Sequence, residues 1–259
     1  MSNPTKILAI NGSHRSENGF TEIVLKHFLT GAESADAQCE VLYPSRKKIV
    51  ACKSCGKCLF ETPGVCEFND DMGSIIQKIE GADMLVFASP VYFDSIPSDM
   101  KKMIDRLRVT LDAFFEFREG RTYHLKSKKK KQNVILIFTA GNPERESFVS
   151  ISRVFNRIID NMGWQLEGEF HFPASHLLVA EPELLSTQLE AVTRGGQQFG
   201  SEGKVSPKVL EAANREYIDD PETTLRHMTQ MILKMRKDNG IGRAVADSLS
   251  HTSLLTNKA

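Results

Sequence analysis

No stretch of this 259-residue chain approaches the ~18 consecutive apolar residues that a membrane span requires. The opening residues, Met1 to Lys6, lack the basic segment and apolar core of a secretion signal, so a cytoplasmic protein without membrane attachment is expected. Asn11-Gly12-Ser13 then has no meaning as a glycosylation site. Net charge is absent too: Lys+Arg and Asp+Glu number 33 each. Nucleic acid is therefore excluded as the main partner, since phosphate binding needs a basic surface. The one basic run, Lys128–Lys131, reads as a solvated loop entering a strand. Cysteine is scarce, and four of the five cysteines lie between Cys52 and Cys66, which is not the layout of a secreted disulfide framework. There is no Gly-x-Gly-x-x-Gly fingerprint of a dinucleotide fold. Nor is there a Ser/His/Asp set or a pair of carboxylates to support hydrolysis. His124, His171 and His176 have no ligand spacing, and His14 belongs to a loop.

The chain does have 41% hydrophobic residues, enough for a sizeable core. Short apolar runs alternate with helical patterns. Lys6–Ile10, Cys39–Tyr43, Met84–Ala88, Val134–Phe138 and Trp164–Phe172 read as strands. Between them a helix starts at Thr21 with Ile23, Val24, His27 and Phe28 on one face, a second is capped by Asp70 and stopped by Gly81, and others cover Ser98–Leu111 and Ser147–Met162. Strands without polar alternation, separated by helices, make a parallel sheet covered on both faces. The expected fold is α/β, a flavodoxin-like doubly wound sheet of five strands. Residues 1–175 form that domain, with a cysteine-rich loop at 44–69. Residues 176–259 form a helical C-terminal extension, with amphipathic patterns at Glu183–Gln198 and Pro221–Lys237 and a loose tail from residue 238. Phe114-Phe115-Glu116-Phe117-Arg118 crowds aromatics between a helix and a strand, as a surface buried against another subunit would.

In such a sheet the ligand lies beyond the carboxyl ends of the strands. Three loops leave those ends. In the first, Gly12 lets the chain turn, Ser13, Ser16 and Thr21 bring hydroxyls, Arg15 a guanidinium, and the next helix its free N–H groups. That combination suits a phosphate dianion. The second loop, Ser89-Pro90-Val91-Tyr92-Phe93-Asp94, puts large aromatics at the ligand edge. The third, Thr139-Ala140-Gly141-Asn142, is small enough for a planar ring to approach its backbone.

Gly12-Ser13-x-Arg15 with Thr21, Ser89-Pro90-Val91-Tyr92, and Lys101 through Asp105-Arg106 together resemble the NADPH-dependent FMN reductase family of flavodoxin-like proteins over roughly residues 5–172. The resemblance implies FMN, with its phosphate on Ser13, Arg15, Ser16 and Thr21. It places the flavin ring against Pro90, Val91, Tyr92 and Phe93, with Thr139, Gly141 and Asn142 beside it.

Cys52-x2-Cys55-x2-Cys58-x7-Cys66 lets a chain wrap a compact centre with several thiolates pointing inward. Four thiolates are the full protein ligand set of a [4Fe–4S] cluster. The same residues suit a structural zinc site, or a metal-free loop that forms a regulatory disulfide. The spacing, with Asp70-Asp71-Met72 following, resembles the iron-sulfur flavoprotein branch of the family. It departs from the common bacterial ferredoxin run, which has three residues before the last Cys and a Pro after it. Cys39 reads as plain core.

The leading expectation is a flavin-dependent oxidoreductase that passes electrons between FMN and a [4Fe–4S] cluster, with NAD(P)H or a ferredoxin as donor. Its acceptor would be a quinone, dioxygen or peroxide. Resemblance implies a homo-oligomer, dimer or tetramer, in which one subunit's cluster approaches another's flavin. An NAD(P)H-dependent FMN or quinone reductase without a cluster, and a non-catalytic electron carrier, stand as alternatives.

Overall fold

The structure, a computed structural model, describes residues 4–125 and 131–238. Five parallel strands, β1 (Lys6–Asn11), β2 (Gln38–Leu42), β3 (Met84–Pro90), β6 (Asn133–Thr139) and β7 (Gln165–Phe172), form one sheet. Their spatial order is β2-β1-β3-β6-β7. The chain reverses its direction of winding between β1 and β3, which creates the crevice at which such sheets bind ligands. β4 (Phe115–Arg118) and β5 (Arg121–His124) make a separate antiparallel hairpin.

The three inner strands are apolar on both sides because helices cover both faces. Ile7 and Ala9 of β1, Val86 and Ala88 of β3, and Ile135 and Ile137 of β6 enter one core. Their neighbours Leu8, Ile10, Leu85, Phe87, Val134, Leu136 and Phe138 enter the other. The first core is closed by α1 (Phe20–Glu33), and by α7 (Ser186–Glu202) and α8 (Pro207–Ala213) of the C-terminal extension. The second is closed by α3 (Met72–Gly81), α4 (Ser98–Arg106) and α5 (Val149–Met162). Three further α-helices, α2 (Lys57–Phe60), α6 (Leu177–Ala180) and α9 (Pro221–Asp238), are found among the described residues. No helix among the described residues is long and apolar enough to cross a membrane.

The expected elements are present with adjustments. The α1 helix buries Val24, Leu25, Phe28, Leu29 and Ala32, while Ile23 and His27 stay half-buried. The stripe is turned because α7 lies against α1 backbone to backbone. A Cβ on Gly196 would stand 1.8 Å from the Phe28 carbonyl oxygen, and one on Gly31 1.9 Å from that of Thr193. The aromatic stretch is not a bare helix-to-strand link: it is the hairpin β4–β5, turning at Glu119 and Gly120, both at positive φ. The readings of Lys128–Lys130 and of the tail from residue 239 lie outside the described residues.

Candidate functional site

The loops after β1, β3 and β6 meet at the reversal point. Gly12 N–H donates to the Ala88 carbonyl at 2.8 Å, joining the first loop to β3. Val91 N–H donates to the Thr139 carbonyl at 2.8 Å, joining the second to β6. The hydroxyls of Thr21 and Thr139 lie 2.7 Å apart and buried, tying α1 to the third loop from beneath.

Within the first loop, Ser13 is buried, and its Oγ accepts the Arg15 N–H at 3.2 Å. A Cβ on Gly19, the N-cap of α1, would come within 2.4 Å of that Oγ, so a side chain there would displace the Ser13 hydroxyl. Ser16 is held at φ 49°, an uncommon conformation for a residue with a side chain, and its Oγ lies 3.0 Å from that of Ser45. Arg15 is exposed, with its guanidinium 5.6 Å over the Phe20 ring and no ion pair among the described residues. Beneath the loop, Ser13 N–H donates to Asn11 Oδ1 at 2.9 Å, and Asn11 Nδ2 to Glu22 Oε2 at 2.8 Å. Tyr43 OH donates to Glu22 Oε1 at 3.1 Å. Burial and the Glu22 carboxylate push the Tyr43 phenol up to about 12, so it remains a donor. Sequence reasoning missed this network, because Glu22 reads as a surface position in a first helical turn.

In the second loop, Tyr92 and Ser95 exchange backbone hydrogen bonds at 3.1 Å around Phe93 (φ 49°) and Asp94 (φ 60°). Two non-glycine residues in the left-handed region store strain, a hallmark of functional loops. This tight turn leaves Phe93 fully exposed, Tyr92 exposed and Val91 half-buried, with Pro90 in the sheet behind them. His14 bridges the first two loops: its ring meets Tyr92 edge-on at 5.2 Å, and its Nε2 lies 3.4 Å from Ser98 Oγ and 3.6 Å from Asp99. In the third loop, a Cβ on Gly141 would meet nothing within 4 Å, so open space lies over the backbone. Asn142 Nδ2 donates to Ser147 Oγ at 3.3 Å. Eight of the eleven residues named for the flavin lie in these three loops; Pro90 ends β3, and Thr21 in α1 and Thr139 at the end of β6 are buried with their hydroxyls on each other beneath the loops. The residues fit a flavin mononucleotide in kind: a loop of serines and an unpaired arginine before a helix N-terminus, beside exposed aromatics and an open glycine backbone.

The cysteines lie on a loop between β2 and α3. Its base is closed by a buried ion pair. Arg106 of α4 forks onto Asp70, Nη1 to Oδ2 at 2.8 Å and Nη2 to Oδ1 at 3.1 Å, with both side chains 2% exposed. Asp70 also accepts the N–H of Val50 at 2.8 Å and of Met72 at 3.1 Å, so it pins both ends of the loop; the N-cap of α3 is not Asp70, as expected, but Asp71, one residue later. Burial opposes its charge, yet Arg106 and these N–H donors hold its carboxyl below the usual range. Cys52 and Cys55 are exposed, Cys58 and Cys66 half-buried. Burial raises the Cys58 thiol, and the fields of Cys66, Cys52 and Cys55 add to the rise. Four thiols on one closed loop suit a thiolate-ligated centre in number and in kind. No three His, Cys, Asp or Glu among the described residues are grouped closely enough to hold a metal ion. Cys39 is half-buried in β2, its thiol pushed to about 11 by burial. His171 stacks on Phe148 at 4.6 Å and lies 3.0 Å from Glu169.

Sheet order, switch-point loops and flanking helices define a flavodoxin-like α/β protein. The chain belongs to the NADPH-dependent FMN reductase family, whose model matches residues 5–141. An iron-sulfur flavoprotein of Archaeoglobus fulgidus is 32% identical over 104 residues, 40% of this chain and 49% of its own length. One of Methanosarcina thermophila is 31% identical over 101 residues, 39% of this chain and 51% of its own. The chain therefore matches about half the length of these curated relatives, which are of the branch that the cysteine spacing resembles. Among solved structures, an NAD(P)H:quinone oxidoreductase from Methanothermobacter marburgensis superposes with a TM-score of 0.56, covering 78% of this chain and 100% of its own, at 15% identity. That likeness establishes the fold.

Proposed function

We propose that this protein is a flavin-dependent oxidoreductase whose residues 1–175 hold FMN at the β1/β3 reversal and a [4Fe–4S] cluster on Cys52, Cys55, Cys58 and Cys66. The observation that carries the flavin reading is the convergence of three loops with phosphate-type donors on one side and exposed aromatics on the other. Arg15, Ser13, Ser16 and the N–H groups opening α1 take the phosphate, and Thr21 braces that helix against Thr139. Val91, Tyr92, Phe93, Gly141 and Asn142 face the ring. Together the two cofactors would supply two-electron chemistry and single-electron transfer in one protein. The donor is NAD(P)H or a ferredoxin, and the acceptor a quinone, dioxygen or peroxide.

Anaerobic preparation tests both cofactors. Close to one FMN with about four iron and four sulfide per chain is expected, and Cys58→Ala should lose the iron and keep the flavin. Zinc, or FMN without metal, would establish the second reading, an NAD(P)H-dependent FMN or quinone reductase without a cluster. The metal-free form of that reading is favoured by the spread of the thiols, no three of which are grouped closely enough among the described residues to hold a metal ion.

We also infer a homo-oligomer. Phe114, Phe115 and Phe117 are exposed among the described residues, an apolar surface at the hairpin. Phe115→Asp should shift light scattering to a smaller species; an unchanged mass with intact fold removes the hairpin from the interface.

A further inference from the structure

Arg106 carries a donor that the clasp leaves unspent. Its two terminal nitrogens are committed: Nη1 to the Val50 carbonyl at 2.7 Å and to Asp70 Oδ2 at 2.8 Å, and Nη2 to Asp70 Oδ1 at 3.1 Å. Its Nε is buried and has no hydrogen-bond partner among the described residues. The side chain is 2% exposed, so bulk solvent does not reach it. Cys66 already stands beside the guanidinium, near enough to act on it through its charge and as a sulfur acceptor. Phe68, two residues after Cys66, lays its ring 5.1 Å from the guanidinium carbon and packs that stretch of loop onto α4. A guanidinium only donates, and it keeps its charge at any pH the protein meets. A buried N–H without an acceptor is rare, and it is explained when the missing acceptor arrives with a ligand.

We propose that Arg106 is a positioning residue for the thiolate-bound centre, with its Nε–H donating to the sulfur of Cys66 once that sulfur is a metal ligand. Asp70 holds the guanidinium from the opposite side, and the same pair fixes residues 50 and 70 at the two ends of the loop. This inference rests on the cluster reading above. Its consequence is a tuning one: a hydrogen bond to ligand sulfur spreads the negative charge gained on reduction, so the centre is easier to reduce with Arg106 than without it.

The test uses the anaerobically prepared, cluster-loaded full chain. Arg106→Lys keeps a positive charge facing Asp70 and removes the Nε donor. The double variant Asp70→Asn/Arg106→Gln replaces the buried ions by a neutral pair, in case the single change does not fold. For each, the midpoint potential is measured by dye-equilibrated reduction followed by electron paramagnetic resonance. Iron retention against a chelator and FMN affinity are measured beside it. The expected result is a potential shifted negative, iron retention weakened about 10- to 100-fold as for other partners of metal ligands, and FMN affinity unchanged. Folded variants with wild-type potential and retention overturn the role of Arg106 while the cluster reading stands. A wild-type protein that takes up no iron overturns both.

Discussion

The three loops proposed to hold the flavin and the loop of the four cysteines are held in opposite ways. Each flavin loop leaves the end of a buried strand and is tied within a few residues to the next strand or to α1 by a backbone or buried hydroxyl contact. Among the described residues the cysteine loop is anchored chiefly at its base, by Asp70 with Arg106 and by Asp71 with Lys48, and Phe68 lies against Arg106. Beyond the base its ties are local or exposed, such as Lys57 to Glu67 at 2.9 Å and the Gly64 N–H to the Cys58 carbonyl at 3.1 Å. A site built on a sheet inherits the rigidity of the core. A site built on a long loop borrows its order from one clasp and from whatever its side chains bind.

Breaking the clasp should have the largest effect. Asp70→Ala strands the Arg106 charge in the interior and should destabilise the fold by about 3–5 kcal/mol, read by urea unfolding at neutral pH. The same pair gives a pH test. Because the folded-state pKa of Asp70 is depressed, its contribution is fully present above the unfolded value of about 3.9 and is lost as pH falls through the folded one. The gap between wild type and Asp70→Ala should therefore narrow in acid; a gap constant down to the acid transition would deny the carboxylate its role.

On the other side of the comparison, Arg15→Ala removes a charged donor from an exposed position. FMN affinity should fall by about 1.5–3 kcal/mol with little change in melting temperature, and titration with unchanged affinity would remove this loop from the phosphate site. The smallest effect should come from the brace beneath it. Thr21→Val leaves the buried Thr139 hydroxyl without its partner and should cost about 1–2 kcal/mol. Adding Thr139→Val should then cost less than its own single change. Strict additivity would mean that the two hydroxyls do not depend on each other.

Much of this was legible in the sequence. Continuous apolar strands between helical patterns dictate a parallel sheet, and such a sheet puts its ligand loops at one end, so Ser13, Tyr92 and Gly141 were recognisable as neighbours from their places after strands. What was not legible came from contacts between distant segments. Gly31 and Gly196 read as ordinary helix glycines until α1 and α7 are laid together. The β4–β5 hairpin was hidden because Glu119 takes a positive φ that its side chain does not advertise. Asp70 read as a helix cap and Arg106 as part of a family motif, but neither pattern says that they meet.

By itself the sequence determined the class of sheet, the end at which its connecting loops gather, and the thiol inventory of the loop, because periodicity and residue type act locally along the chain. Only the tertiary structure decided which buried groups pair: Thr21 with Thr139, Glu22 with Asn11 and Tyr43, and Asp70 with Arg106. Removal from water makes a lone polar group costly, and which partner meets that need is set by where the folded chain brings its far segments together.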